Sequence, residues 1–177
     1  MAMKILVSAG ETSGDRYAAE LVLELRRRLP DAEFFGSAGP LMREAGVEPI
    51  IRSESLAVVG LLEVVRHIPR IYGEFKTLMR EIKKRQPDFA ILTDSPDFHI
   101  RVAAKLKPLG VPVVWYVAPQ FWAWRQWRVH KFRRLVSFLL CIFPFEQKFF
   151  REHGVVTTYV GHPLADAPVS TTTREEH

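Results

Sequence analysis

The sequence predicts an α/β fold: a doubly wound, mostly parallel sheet of about seven strands with helices on both faces. Three observations predict it. Short apolar runs of strand length alternate with segments of helical periodicity along the chain, the pattern of repeated βα units. The helical segments end in basic residues or before Gly and Pro, as helix stops do. The length, 177 residues with 47% hydrophobic and 25% charged side chains, suits one domain with a substantial core.

The strands follow in order. Lys4 to Ser8 is a short apolar run, Glu33 to Gly36 the second and Glu48 to Ile51 the third. Phe89 to Thr93, Val111 to Val117 (interrupted early by Pro112), Phe138 to Phe143 and Val155 to Val160 complete the set. Between them, Asp15 to Leu29 places Ala18, Leu21, Val22, Leu25 and Leu29 on one helical face and ends in Arg26, Arg27 and Arg28. Leu41 to Ala45 is a short helix stopped by Gly46, and Ile68 to Arg85 a long one ended by Gln86-Pro87. His99 to Leu106, Arg125 to Val136 and Phe145 to His153 are the remaining helices.

The most informative stretch is Ile91-Leu92-Thr93-Asp94-Ser95-Pro96-Asp97-Phe98, where a strand runs into two acids. Ligands of open α/β sheets bind just outside the carboxyl ends of the strands. Pro96 stiffens the turn, which suits a general base that must be held in reach of the proton it removes. Asp97, directly before the helical stretch, fits an N-cap better; Asp94 is then the better candidate for chemistry.

The first βα turn, Ser8-Ala9-Gly10-Glu11-Thr12-Ser13-Gly14-Asp15, matches neither phosphate-loop fingerprint. Gly10 and Gly14 bracket Glu11, Thr12 and Ser13. Two readings stand side by side. In one, the glycines leave room for a ligand, with Ser13 and the helix N-terminus holding an anionic or hydroxyl-rich group. In the other, the segment is a plain turn capped by Ser13 or Asp15.

Residues 118–134 interleave Trp122, Trp124 and Trp127 with Arg125, Arg128, Lys131, Arg133 and Arg134. Nucleic-acid binding and an interfacial helix share this composition. A helix with Trp124, Trp127, Phe132 and Leu135 facing the core explains it best. Pro119, Gln120 and Trp122 follow a strand end and are expected to line the same cleft as Asp94. Leu56 to Tyr72 is strongly apolar, with Arg66 and Arg70 beside it and a long helix expected to be broken by Gly60 and Pro69. It reads as a hydrophobic flap ahead of a core-packed connection.

The formal net charge of +5 favours anionic partners. The single cysteine, Cys141, lies in an apolar strand and reads as a structural thiol. No apolar run reaches the roughly 20 residues of a membrane-spanning helix, and Met1-Ala2-Met3-Lys4 leads into a strand, so a cytoplasmic chain is expected. The six histidines lack metal-motif spacing. His162, in Gly161-His162-Pro163, follows the last strand toward the cleft.

Six ordered blocks carry a resemblance: Ser8 to Asp15, Gly36-Ser37-Ala38-Gly39-Pro40, Thr93 to Phe98, Tyr116 to Trp124, Phe143-Pro144-Phe145-Glu146 and Gly161-His162-Pro163-Leu164. Together they resemble the lipid A disaccharide synthase family over roughly residues 3–166. The resemblance implies a Rossmann-like domain that is one half of a GT-B architecture. It implies an inverting hexosyltransferase, using no metal or other cofactor. The reaction would pass 2,3-diacylglucosamine from its UDP donor to 2,3-diacylglucosamine 1-phosphate, in lipopolysaccharide biosynthesis. Asp94 would be the catalytic base, with Gly10, Glu11, Ser13, Gly14, Pro119, Gln120, Trp122 and His162 binding substrate.

It also implies a peripheral protein on the inner face of the bacterial inner membrane, partnered by an anionic lipid surface and not by nucleic acid. Family members are about twice this long. Residues 1–166 are therefore expected to be the acceptor-side domain, and 167–177 a polar tail or the start of an interdomain linker, with Thr173 to Glu176 spaced as a capping box. A UDP-binding domain would lie beyond. The uncovered cleft face is expected to favour self-association, and the chain alone to be inactive. The alternatives are half of another sugar-nucleotide enzyme, such as an epimerase, or a non-catalytic domain that binds lipid or a polypeptide.

Overall fold

The computed structural model describes residues 2–56 and 61–165. The expected tail at 167–177 and its capping box lie outside these residues, as does part of the flap, Ala57 to Gly60.

Seven parallel strands form one sheet in the order β3-β2-β1-β4-β5-β6-β7. They are β1 (Lys4–Ser8), β2 (Glu33–Ala38), β3 (Glu48–Arg52), β4 (Phe89–Leu92), β5 (Val113–Tyr116), β6 (Phe138–Cys141) and β7 (Thr157–Tyr159). Six helices cross between them: α1 (Thr12–Arg28), α2 (Pro40–Glu44), α3 (Leu61–Arg85), α4 (Pro96–Leu106), α5 (Arg128–Leu135) and α6 (Pro144–Glu152). The strand order reverses between β1 and β4, which pair in register from Ile5 with Phe89 to Ser8 with Leu92. At such a reversal the two loops diverge to opposite faces and leave a crevice at the carboxyl edge.

The central strands are apolar on both faces because helices cover both. One core gathers Leu6, Leu92, Trp115 and Leu139 against α3, α4, α5 and α6 through Leu78, Ile82, Leu106, Phe132 and Phe150. The other gathers Ile5, Val7, Phe34 and Ile91 against α1 and α2 through Ala18, Val22 and Met42. Cys141 is fully buried; its Sγ lies 2.9 Å from Thr157 Oγ1, and burial pushes the thiol up to about 11. It is the structural thiol expected from its strand.

Four local expectations are corrected. α3 runs unbroken through Pro69. Its C-terminal half is anchored by buried Leu78 and Ile82, and that packing carries the helix past one missing N–H bond. Asp97 does not cap α4: Pro96 takes the first helical turn, with its φ already set for a helix, and Ser95 becomes the residue before it. Neither Ser13 nor Asp15 caps α1; Glu11 holds that position, with no side-chain bond. Buried Asp15 instead accepts from Leu41 N (2.9 Å) and Met42 N (3.1 Å), capping α2 across the interface. Finally, Trp124 and Trp127 do not face the core: they are 58% and 70% exposed. The helix starts only at Arg128, so both fall on the preceding loop; Phe132 is buried as expected.

Candidate active site at the strand reversal

β4 ends at Leu92, and the next residues cross the mouth of the crevice. Asp94 turns its carboxylate toward the loop after β1, where Gly10 N donates to Oδ1 at 2.7 Å and Glu11 N to Oδ2 at 3.1 Å. The approach is close enough to demand glycines. A Cβ on Gly14 would overlap the Asp94 carboxylate, and one on Gly10 would meet the Ser95 side chain. The room that the sequence reserves at both glycines is thus taken up by the β4 loop itself.

The Asp94 side chain keeps 13% of its surface exposed. Burial pushes its carboxyl above the ordinary range, against the opposing pull of the two backbone N–H groups. Glu11 and Ser13 are exposed beside it, and Ser95 Oγ donates to Glu11 Oε1 at 3.4 Å.

Ser95 holds a left-handed backbone (φ 44°, ψ 59°). Val117 (φ 70°) and Arg125 (φ 57°) do the same on the loop after β5. Such conformations are costly for non-glycine residues, most of all a β-branched one, and gather at functional sites.

Behind Asp94 stands His99, fully buried. Its Nδ1 meets the Asp94 carbonyl, and its Nε2 lies 2.7 Å from Ser8 Oγ. Burial pushes this imidazole down to about 4, so it is neutral at physiological pH. The 4.0 Å separation from Asp94 Oδ1 is therefore not an ion pair. Sequence reasoning missed His99 and Ser8. The available signal was a histidine on the buried face of α4, beside Ile100 and Ala103, where a polar ring needs partners.

The other candidate residues lie on neighbouring strand-end loops. Pro119 is buried and Gln120 exposed, after β5. Trp122 Nε1 donates to Glu146 Oε1 at 3.3 Å, and Glu146 Oε2 accepts from Phe143 N at 3.2 Å. Glu146, also missed, is a buried carboxyl raised by desolvation that ties the β5 loop to the start of α6. His162 packs edge-on against Tyr17 (6.2 Å) and beside Phe143 (5.4 Å), and lines a recess of about 300 Å³ with Leu21, Tyr116 and Leu140. The structure thus joins Gly10, Glu11, Gly14 and Asp94 directly. Trp122 and His162 are linked to each other's surroundings through Phe143 and Phe145 instead.

Asp97 is bonded by Arg128 Nη2 at 2.6 Å, an ion pair between the starts of α4 and α5 in which the Asp97 side chain is exposed and that of Arg128 largely covered.

The fold is shared with a solved structure, MurG of Acinetobacter baumannii, at a TM-score of 0.57 and 16% identity, over 93% of this chain and 47% of that one. Among curated relatives, the lipid-A-disaccharide synthase of Solibacter usitatus (strain Ellin6076) is 62% identical over 98% of this chain and 45% of its own length. That of Koribacter versatilis (strain Ellin345) is 51% identical over 98% of this chain and 46% of its own. The chain therefore spans less than half the length of these relatives. The family model described as Lipid-A-disaccharide synthetase matches residues 5–177, and the chain belongs to that family.

Proposed function

We propose that residues 1–166 form the acceptor-side domain of an inverting GT-B glycosyltransferase, whose UDP-binding domain corresponds to the further length of the relatives. The reaction transfers 2,3-diacylglucosamine from UDP to 2,3-diacylglucosamine 1-phosphate, forming the lipid A disaccharide 1-phosphate. The observation that carries the reading is Asp94: a carboxylate at the strand reversal, oriented by two backbone N–H groups and raised in basicity by burial.

Asp94 takes the proton of the acceptor 6-hydroxyl as that oxygen forms its bond to the anomeric carbon. The bond from that carbon to the UDP oxygen breaks, and UDP leaves with the electron pair. A positioned base contributes typically 10²–10⁴-fold. Glu11, Ser13 and the first N–H groups of α1 shape the cleft floor beside the donor phosphates, and Pro119, Gln120, Trp122 and His162 form the neighbouring walls. The exposed Ile68 and Tyr72 of α3, with Arg70 and Lys76 nearby, support a seat on an anionic membrane surface.

Asp94→Asn in the enzyme that carries this chain tests the base assignment. Turnover is expected to fall at least about 100-fold, with acceptor KM little changed. Near-normal turnover would refute it.

A further inference from the structure

We propose that His99 and Ser8 form a buried strut that grips the backbone of Asp94 and so aims its carboxylate, making His99 a positioning residue for the base; this rests on the reading of Asp94 given above. Asp94 is held at two points. Its carboxylate is held by Gly10 N and Glu11 N, and its carbonyl by His99. The next residue, Ser95, holds a left-handed backbone directly before the first turn of α4, and the Asp94 carbonyl beside it is met by the His99 ring.

A carbonyl can only accept, so Nδ1 carries the imidazole proton, and Nε2 must accept from the Ser8 hydroxyl. Ser8 closes the circuit: its own carbonyl accepts from Thr93 N at 3.2 Å and Thr93 Oγ1 at 3.3 Å. The ring cannot swing away, because Phe98 (5.3 Å) and Trp115 (6.1 Å) stand edge-on to it. Glu11 and Asp94 supply the nearby negative charge, while Phe98 and Trp115 are uncharged. His99 therefore works by shape and hydrogen bonding, with one tautomer fixed by both neighbours.

A pH titration of the ¹H–¹⁵N NMR spectrum of the 177-residue chain tests the strut. In the wild type the ring is expected as the Nδ1–H tautomer and neutral down to about pH 5, while the Gly10 amide, bonded to Asp94 Oδ1, reports the transition of the Asp94 carboxyl. His99→Asn can place an N–H where Nδ1–H stood, and should leave that midpoint within about 0.3 unit. His99→Leu should raise it by about 1 unit, because a slackened turn loses the N–H bonds that favour the anion.

An unmoved midpoint in His99→Leu overturns the proposal, as does a wild-type ring titrating near its ordinary 6.5. If His99→Leu fails to fold, Ser8→Ala decides, since it removes the far anchor and keeps the ring; its midpoint must rise as well. In the enzyme that carries this chain, His99→Leu should lower kcat at least about tenfold with acceptor KM within about twofold, and His99→Asn should restore it. Failure of the base reading itself shows elsewhere, as normal turnover in Asp94→Asn, and leaves these midpoints where they are.

Discussion

Gly14 is the residue on which the site turns, because the Asp94 carboxylate fills the space where its side chain would stand. Gly14→Ala should cost about 1–3 kcal/mol, the usual penalty of forcing atoms into a filled site, measured by urea unfolding. It should also displace the Asp94 carboxylate and, on the proposed reading of Asp94 as the base, cut turnover. His99 gives a second prediction. Its imidazole is lowered to about 4 in the fold against about 6.5 unfolded, so its contribution is fully present above pH 6.5 and is lost as pH falls toward 4. The shift amounts to about 3 kcal/mol. Asp94, raised in the fold, acts in the opposite sense: its contribution is present at low pH and lost as pH rises through its folded value. The difference in unfolding free energy between wild type and His99→Asn, followed from pH 7 to 4, isolates the histidine and should shrink by that amount. The position of Asp94 at the strand reversal was legible in the sequence because a strand end and a proline turn mark it locally. His99 was not, because its partner Ser8 lies 91 residues away and no spacing rule connects them.

At the scale of elements, α3 is the clearest departure from local rules. Pro69 reads as a breaker, yet the helix passes it; among the described side chains, the fully buried ones that hold the helix, Leu78 and Ile82, lie further along. Before that anchor, Ile68 and Tyr72 are 54% and 55% exposed, and Lys76 sits over the Tyr72 ring at 4.5 Å. Apolar side chains exposed beside cations suit an anionic bilayer surface. The chain should float with anionic vesicles at low salt. Binding should weaken at 1 M salt, where the Debye length falls to about 3 Å from about 10 Å at 0.1 M. Ile68→Asp with Tyr72→Asp should abolish flotation without unfolding the chain, checked by circular dichroism. Flotation unchanged by both substitutions would refute a lipid-facing α3. The tryptophan-rich segment departs from its helical spacing for a related reason: Arg125 holds a left-handed backbone, so Trp124 and Trp127 lie on a loop and the helix begins only at Arg128.

For the whole molecule, the alternation of apolar runs and helical faces was enough to read all seven strands and six helices, with ends displaced by three residues or fewer except the start of α3, which lies seven residues earlier than expected, at Leu61 instead of Ile68. The order of the strands was not legible, because it depends on which faces the crossovers bury rather than on any one segment. Two cores, one on each face, share the central strands, so the chain should unfold in one cooperative transition. Its first βα turn lacks both nucleotide-loop fingerprints, and Gly10 and Gly14 are occupied by the β4 loop. Calorimetric titration with UDP is therefore expected to give no micromolar binding to the chain alone. Micromolar affinity would put the donor site in this half and reverse the assignment of the two domains.

The contact between Gly14 and Asp94 also constrains how such a protein can diverge. Two positions 80 residues apart share one volume, so neither can enlarge while the other keeps its size. A descendant that gained a side chain at 14 would have to displace or shorten the one at 94, and so move its carboxylate. The path from this sequence to a different side chain at the strand reversal therefore runs through paired changes, and single-step variants along it pass through a poorly packed intermediate.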